Sequence, residues 1–202
     1  MRAAERLIAD RGIENVSIRD IVSAAGQKNE SALQYHFKNL TGLIEEIKLA
    51  RSDQTHLKRA ELIQALHQTT TQPSVADACK LMVQPAFELA CEDKDFHCYV
   101  KAFGHELVLT NSSPSAKATA QGGGGASGKQ TAAMLKDALP HLDAEIYQQR
   151  LDAAVLMSSA SMYHQARQKN AFIGDQAHLF LHSLVDALVG VFTAPVSPET
   201  KV

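Results

Sequence analysis

Between Gly26 and Asn39 the sequence sets Lys28, Asn29, Ser31, Gln34, Tyr35, His36 and Lys38 within one short stretch. A lysine supplies a point charge, an amide pairs a donor with an acceptor, and hydroxyls and imidazole supply single bonds. No nucleophile–base pair stands among them. Such groups meet phosphate oxygens and base edges rather than carry out a reaction. Lys28 and Tyr35 suit backbone phosphates, and Asn29 and Gln34 suit adenine, whose N6 and N7 an amide can bond together. Ser17 and Arg19 lie just upstream and belong to the same candidate surface. Ala32, Leu33 and Phe37 are left to face inward.

Other chemistry-bearing patterns are weaker. Gly123 to Lys129 has the G-x4-G-K spacing of a phosphate-binding loop, but Gln130 stands where a Ser or Thr should hold magnesium, and no strand precedes it. His178 and His182 lie one helical turn apart with no third ligand nearby. Cys91, Cys98, His97 and His105 match no zinc module. Helix-surface histidines and buried thiols explain both groups better. Neither a cofactor, a metal nor a catalytic residue is expected.

The elements that position the first stretch are legible. Ser17-Ile18-Arg19-Asp20 reads as a capping box, with Val16 and Ile21 flanking it. A short helix therefore starts at Ser17 and ends at Gly26, and a second runs from about Lys28 to His36. Ala3, Ala4, Leu7 and Ile8 form the stripe of a preceding helix that stops at Gly12. Two short helices joined by a tight turn, with a third packed across them, make a helix-turn-helix. Further helices are expected at 41–66, 74–92 (kinked or broken by Pro85), 94–109, 129–138, 143–169 and 175–193, with 110–128 a low-complexity loop. Strand patterns are nearly absent. The fold class is all-α: an N-terminal three-helix helix-turn-helix domain at 1–45 and a C-terminal helical ligand-binding and dimerisation domain at 46–202.

Composition agrees with a folded domain of ordinary type. The 202 residues are 45% hydrophobic and 21% charged, with eleven Gly and six Pro, which excludes disordered and collagen-like chains. Three cysteines, an odd number, fit a reducing compartment, and the expected location is the cytoplasm. No continuous run of about eighteen apolar residues marks a membrane span. The net charge is −2, and residues 1–66 are close to neutral, so bulk charge does not point to nucleic acid. The motifs do.

The stretch from Ala3 to Ile47 resembles the DNA-binding domain of the TetR family of bacterial transcriptional regulators. The resemblance rests on Ala3-Ala4 to Gly12, on Ser17-Ile18-Arg19-Asp20-Ile21 and on Ala24-Ala25-Gly26. Leu33, His36-Phe37 and Gly42-Leu43 complete it. This chain departs from the pattern at Gln34, where an aromatic is usual, with Tyr35 one place later. Leu40 stands where a lysine is common, and the sequence begins inside the first helix of the pattern, ahead of which family members usually carry a basic arm. The resemblance implies a regulator, commonly a repressor released from double-stranded operator DNA by a small-molecule effector. Candidate ligand-binding residues in the C-terminal part are Met82, Phe87, Tyr99, Phe103, His105, Met134 and His164. A homodimer is implied too, and the apolar breadth of the last two helices supports it. Leu151, Val155, Met162, Leu181, Leu184 and Leu188 are the expected interface. The alternative is an all-α ligand-binding or scaffold protein whose helix-turn-helix no longer binds DNA.

Overall fold

Capping chemistry sets most of the helix starts. In a computed structural model, residues 1–121 and 124–200 are described, apart from the side chains of Ala32 and Gln34. Among them run ten α-helices and no strand: α1 (Arg2–Arg11), α2 (Ile18–Ala24), α3 (Glu30–Phe37), α4 (Leu40–Thr69), α5 (Val75–Glu92), α6 (Lys94–Phe103), α7 (Pro114–Ala120), α8 (Gly125–Asp137), α9 (Ala144–Ala166) and α10 (Gly174–Thr193). The all-α expectation is met. Ser17 with Asp20 and Ser74 with Asp77 form full capping boxes at α2 and α5. Asn39 caps α4 by accepting from the Gly42 N–H at 2.9 Å. That helix has 30 residues, a rod of about 45 Å, and the boundary expected at residue 45 falls inside it.

Two apolar clusters hold the helices together. Ala4, Ile8, Ile21, Leu43, Ile44 and Ile47 close the first, and Ala102 and Phe103 of α6 join it. The second is larger and gathers Phe87, Phe96, Leu135, Leu188 and Phe192 from α5, α6, α8 and α10. Helix α6 thus belongs to both cores. By length and composition α10 could cross a membrane, but its Leu184, Leu188 and Phe192 are buried within the second cluster.

Three expectations are corrected. The third helix begins at Glu30, because the Asn29 side chain supplies its cap. Pro85 neither ends nor interrupts α5. Proline leaves the carbonyl four residues back without its helical donor, and here Arg59 Nε of α4 donates to the Leu81 carbonyl at 3.0 Å. The stretch at 110–128 is not simply a loop: α7 occupies 114–120 and α8 begins at Gly125. Helix α7 carries no side chain larger than lysine and nothing apolar beyond Ala and Pro, so periodicity could not reveal it. Asp152 fixes it instead, accepting from Ser113 Oγ at 2.8 Å and from the Ser115 N–H at 3.0 Å.

Candidate nucleic-acid interface

The local chain from Ser17 to Asn39 folds as its chemistry directs. Ser17 Oγ accepts from the Asp20 N–H at 3.2 Å, and the Asp20 carboxylate accepts from the Ser17 N–H at 2.9 Å. Ser17 Oγ also donates to Asp20 at 2.5 Å. The Ser17 side chain and backbone hold the Asp20 carboxyl below its ordinary value. Gly26 turns the chain at φ 67°, a left-handed conformation that glycine adopts without strain. Asn29 Oδ1 then accepts from the Ser31 N–H at 2.9 Å and starts α3. Leu33 and Phe37 pack against the first cluster, as expected. At the far end Gly42 lets α4 approach α3: a Cβ there would lie 2.2 Å from the Phe37 carbonyl oxygen.

This packing leaves one polar face outward. Arg19, Lys28, Ser31, Tyr35, His36 and Lys38 are exposed, and Tyr35 is 85% exposed. The Tyr35 and His36 rings meet edge to face at 5.3 Å. Lys38 sits at φ 63°, uncommon for a residue with a side chain, and ends α3 there with its ammonium group on the exposed surface. Two candidates have local work as well. The Ser17 hydroxyl is engaged in its cap, and the Asn29 amide oxygen caps α3, so bidentate reading of adenine by Asn29 competes with the helix start. The candidate base contact of Gln34 lies outside the described residues.

A set of ion pairs ties this unit to the rest, and sequence reasoning missed it. Glu5 of α1 is only 1% exposed, and it accepts from Arg51 of α4 at 2.6 and 3.0 Å. Arg51 also reaches Asp93 at 3.0 Å. Asp95 at the start of α6 pairs with Arg6 at 2.6 Å and Arg2 at 3.2 Å. Lys101 pairs with Asp10 at 3.2 Å. The one signal available was Glu5 itself, an acid lodged between Ala4 and Ile8 of the buried stripe. Its partner cannot be read from spacing.

Beyond these pairs α4 and α6 border a cavity of about 370 Å³. Of the expected ligand contacts, Met82, Tyr99 and Phe103 line it. Burial pushes the Tyr99 phenol up to about 12, so it stays neutral. The other four do not line it. Phe87 is spent in the second cluster against Phe172, with ring centroids 5.8 Å apart. His105 stacks on Tyr163 at 5.1 Å, Met134 is half-buried on α8, and His164 is exposed beside Gln168. A run of polar side chains on α4, namely Lys48, Arg51, Ser52, Thr55 and Arg59, forms one wall. None of these is among the expected ligand contacts.

The residues expected between two subunits are used inside one. Leu181, Leu184 and Leu188 are buried in the second cluster, Leu188 completely. Leu151, Val155 and Met162 turn toward the cavity. Breadth of apolar character could not tell a partner from a neighbouring helix. Among the described residues no three His, Cys, Asp or Glu side chains are grouped to hold a metal. His178 packs on the Phe87 ring at 5.9 Å, and His97 Nε2 lies 2.7 Å from the Ala166 carbonyl. Gly123 of the phosphate-loop pattern lies outside the described residues. Ser127 of that pattern is buried, and its N–H donates to His56 Nδ1 at 3.2 Å while Oγ donates to the His56 carbonyl at 3.0 Å. That pair pins α8 to α4.

A capped helix-turn-helix with an exposed polar second helix is a form that binds duplex DNA. No curated protein matches the chain. Residues 1–47 do match the family model of bacterial regulatory proteins, tetR family. The matched residues are those of α1, α2, α3 and the first turns of α4, so the likeness to that family is one of this N-terminal segment.

Proposed function

We propose that the chain is a ligand-responsive repressor, with no catalytic role of its own. Residues 1–45 dock α3 in the major groove of an operator, and residues 46–202 receive a small-molecule effector. The observation that carries this reading is α4. Capped by Asn39 two residues after α3, it starts at Leu40 and continues unbroken to the cavity wall at Lys48, Ser52, Thr55 and Arg59. A ligand against that wall acts on the rod that sets the angle of the DNA-binding unit. To release DNA it must bind one position of the rod better than the other.

Two half-sites require two copies, and in this reading the chain is a homodimer acting in the cytoplasm. The outward faces of α9 and α10 suit that pairing better than the buried ones. Ala153 and Ala160 on α9, and Ser183, Ala187 and Gly190 on α10, are exposed and small. Exposed Leu179 lies on the same α10 face. Small side chains let helices of two subunits approach closely, and four helices around a two-fold axis make a closed interface.

Footprinting on the DNA upstream of the chain's own gene tests the reading. Protection of two half-sites about 34–36 Å apart, or a multiple of that spacing, is expected. Protection of one half-site contradicts the dimer, and no protection favours the scaffold alternative.

A further inference from the structure

The cavity wall carries information about what it binds. The α5, α6 and α9 sides are largely apolar, built from Met82, Val83, Val100, Phe103, Val155 and Met162, with Ser158 and Ser159 adding hydroxyls on α9. The α4 side is polar and cationic. Lys48, Arg51 and Arg59 line it, against Glu106 as the one lining carboxylate among the described residues. Lys48 lies 2.6 Å from Glu106, and Arg51 lies 2.6 Å from Glu5. Arg59 is buried, and its Nε serves the Leu81 carbonyl. Burial pulls its guanidinium down to about 10, so a neighbouring anion would favour the charged form that burial penalises.

Ser52 supplies an independent sign. It is 9% exposed, lines the cavity, and its Oγ has no hydrogen-bond partner among the described residues. A buried hydroxyl without a partner is costly, and a ligand atom that bonds it removes that cost. Ser52, Thr55 and Arg59 follow at i, i+3 and i+7 on the cavity side of one helix. Thr55 Oγ1 already donates to the Arg51 carbonyl at 2.9 Å and keeps its acceptor capacity. The strip therefore offers a free hydroxyl donor and a buried cation, which is the complement of a carboxylate. A cationic amphiphile would meet the buried Arg59 guanidinium, and the one lining acid is already engaged by Lys48.

We propose that the effector is an amphipathic carboxylic acid whose carboxylate lies along Ser52 and Arg59 and whose apolar body lies against Met82, Phe103, Val155 and Met162. The inference rests on the effector reading of the cavity. A volume of about 370 Å³ lies at the small end of organic-ligand sites, which suits a small organic acid.

The test is calorimetric titration with matched straight-chain series, six to fourteen carbons, ending in carboxylate, alcohol or amine. Nile red serves as a neutral probe of the cavity itself. The best carboxylate is expected to bind about tenfold or more tighter than its alcohol, with the amine weakest. Ser52→Ala should remove much of that preference while leaving the unliganded thermal midpoint unchanged or raised, because an orphaned hydroxyl disappears. Arg59→Gln keeps a donor for the Leu81 carbonyl and should abolish the preference. Equal binding of alcohol and carboxylate, or an unchanged preference in Ser52→Ala, overturns the carboxylate assignment and leaves the cavity reading intact. Nile red binding with no carboxylate binding overturns the assignment alone. Failure of Nile red and of all three series overturns the cavity reading and the assignment together.

Discussion

At the residue scale, strain and charge coincide at Lys38. A left-handed residue at a helix C-terminus is usually glycine, yet this one is a lysine at φ 63° on the exposed face of the helix-turn-helix. Lys38→Gly should stabilise the fold by about 0.5–1 kcal/mol by relieving that conformation. It should also weaken DNA binding and lower its salt slope by about one, as loss of a phosphate contact does. Thermal melts and anisotropy titrations of the same preparation check both; a stabler protein with unchanged salt slope removes Lys38 from the interface. Ser17, Asn29 and Asp20 illustrate how much of this surface was legible in the sequence. Their spacing gave the cap of α2 and the position of the turn, because capping is local chemistry. It did not show that Asn29 would spend its amide oxygen on α3.

At the element scale, α1 is joined to α4 and α6 through charge, and this was invisible in the sequence because the partners are distant in the chain. Breaking one side of the buried Glu5–Arg51 pair should cost about 3–5 kcal/mol, whereas replacing both with apolar residues of similar size should cost far less. Denaturation of Arg51→Met against the Glu5→Leu/Arg51→Met double variant measures the difference; equal losses would show that the pair contributes packing alone. Helix α7 depends on one carboxylate. Burial raises the Asp152 carboxyl, but bonds from Ser115, Ser113 and Gln148 outweigh it and hold the group below the ordinary 3.8. A depressed folded value contributes stability that is fully present above pH 3.8 and is lost as pH falls through the folded value. Asp93 adds to the same window: burial raises it, and the Asp95 N–H and Arg51 hold it down. The thermal midpoint should therefore drop on acidification below about pH 4, and Asp152→Asn should flatten part of that drop. An identical pH profile in the variant would show that the Asp152 clasp contributes nothing. Pro85 shows why a breaker rule failed: Arg59, from another helix, replaced the donor that proline lacks.

At the scale of the whole molecule, α6 belongs to both apolar clusters and α4 runs from the helix-turn-helix to the cavity, so the two halves share their walls. The helix-turn-helix and the all-α class were legible because local periodicity and capping encode them. The cavity, the ion pairs and the buried placement of Leu181, Leu184 and Leu188 were not, since each depends on which helices meet. In the proposed function α3 enters the major groove of an operator. Wild type, Lys28→Ala and Gln34→Ala, titrated against operator and scrambled duplexes across a salt series, test it most directly. Lys28→Ala should weaken binding to both duplexes alike and reduce the salt slope by about one. Gln34→Ala should cost about 1–3 kcal/mol on the operator and leave scrambled DNA nearly unchanged. Wild-type binding that ignores salt, or variants that bind both duplexes as wild type does, would contradict the account.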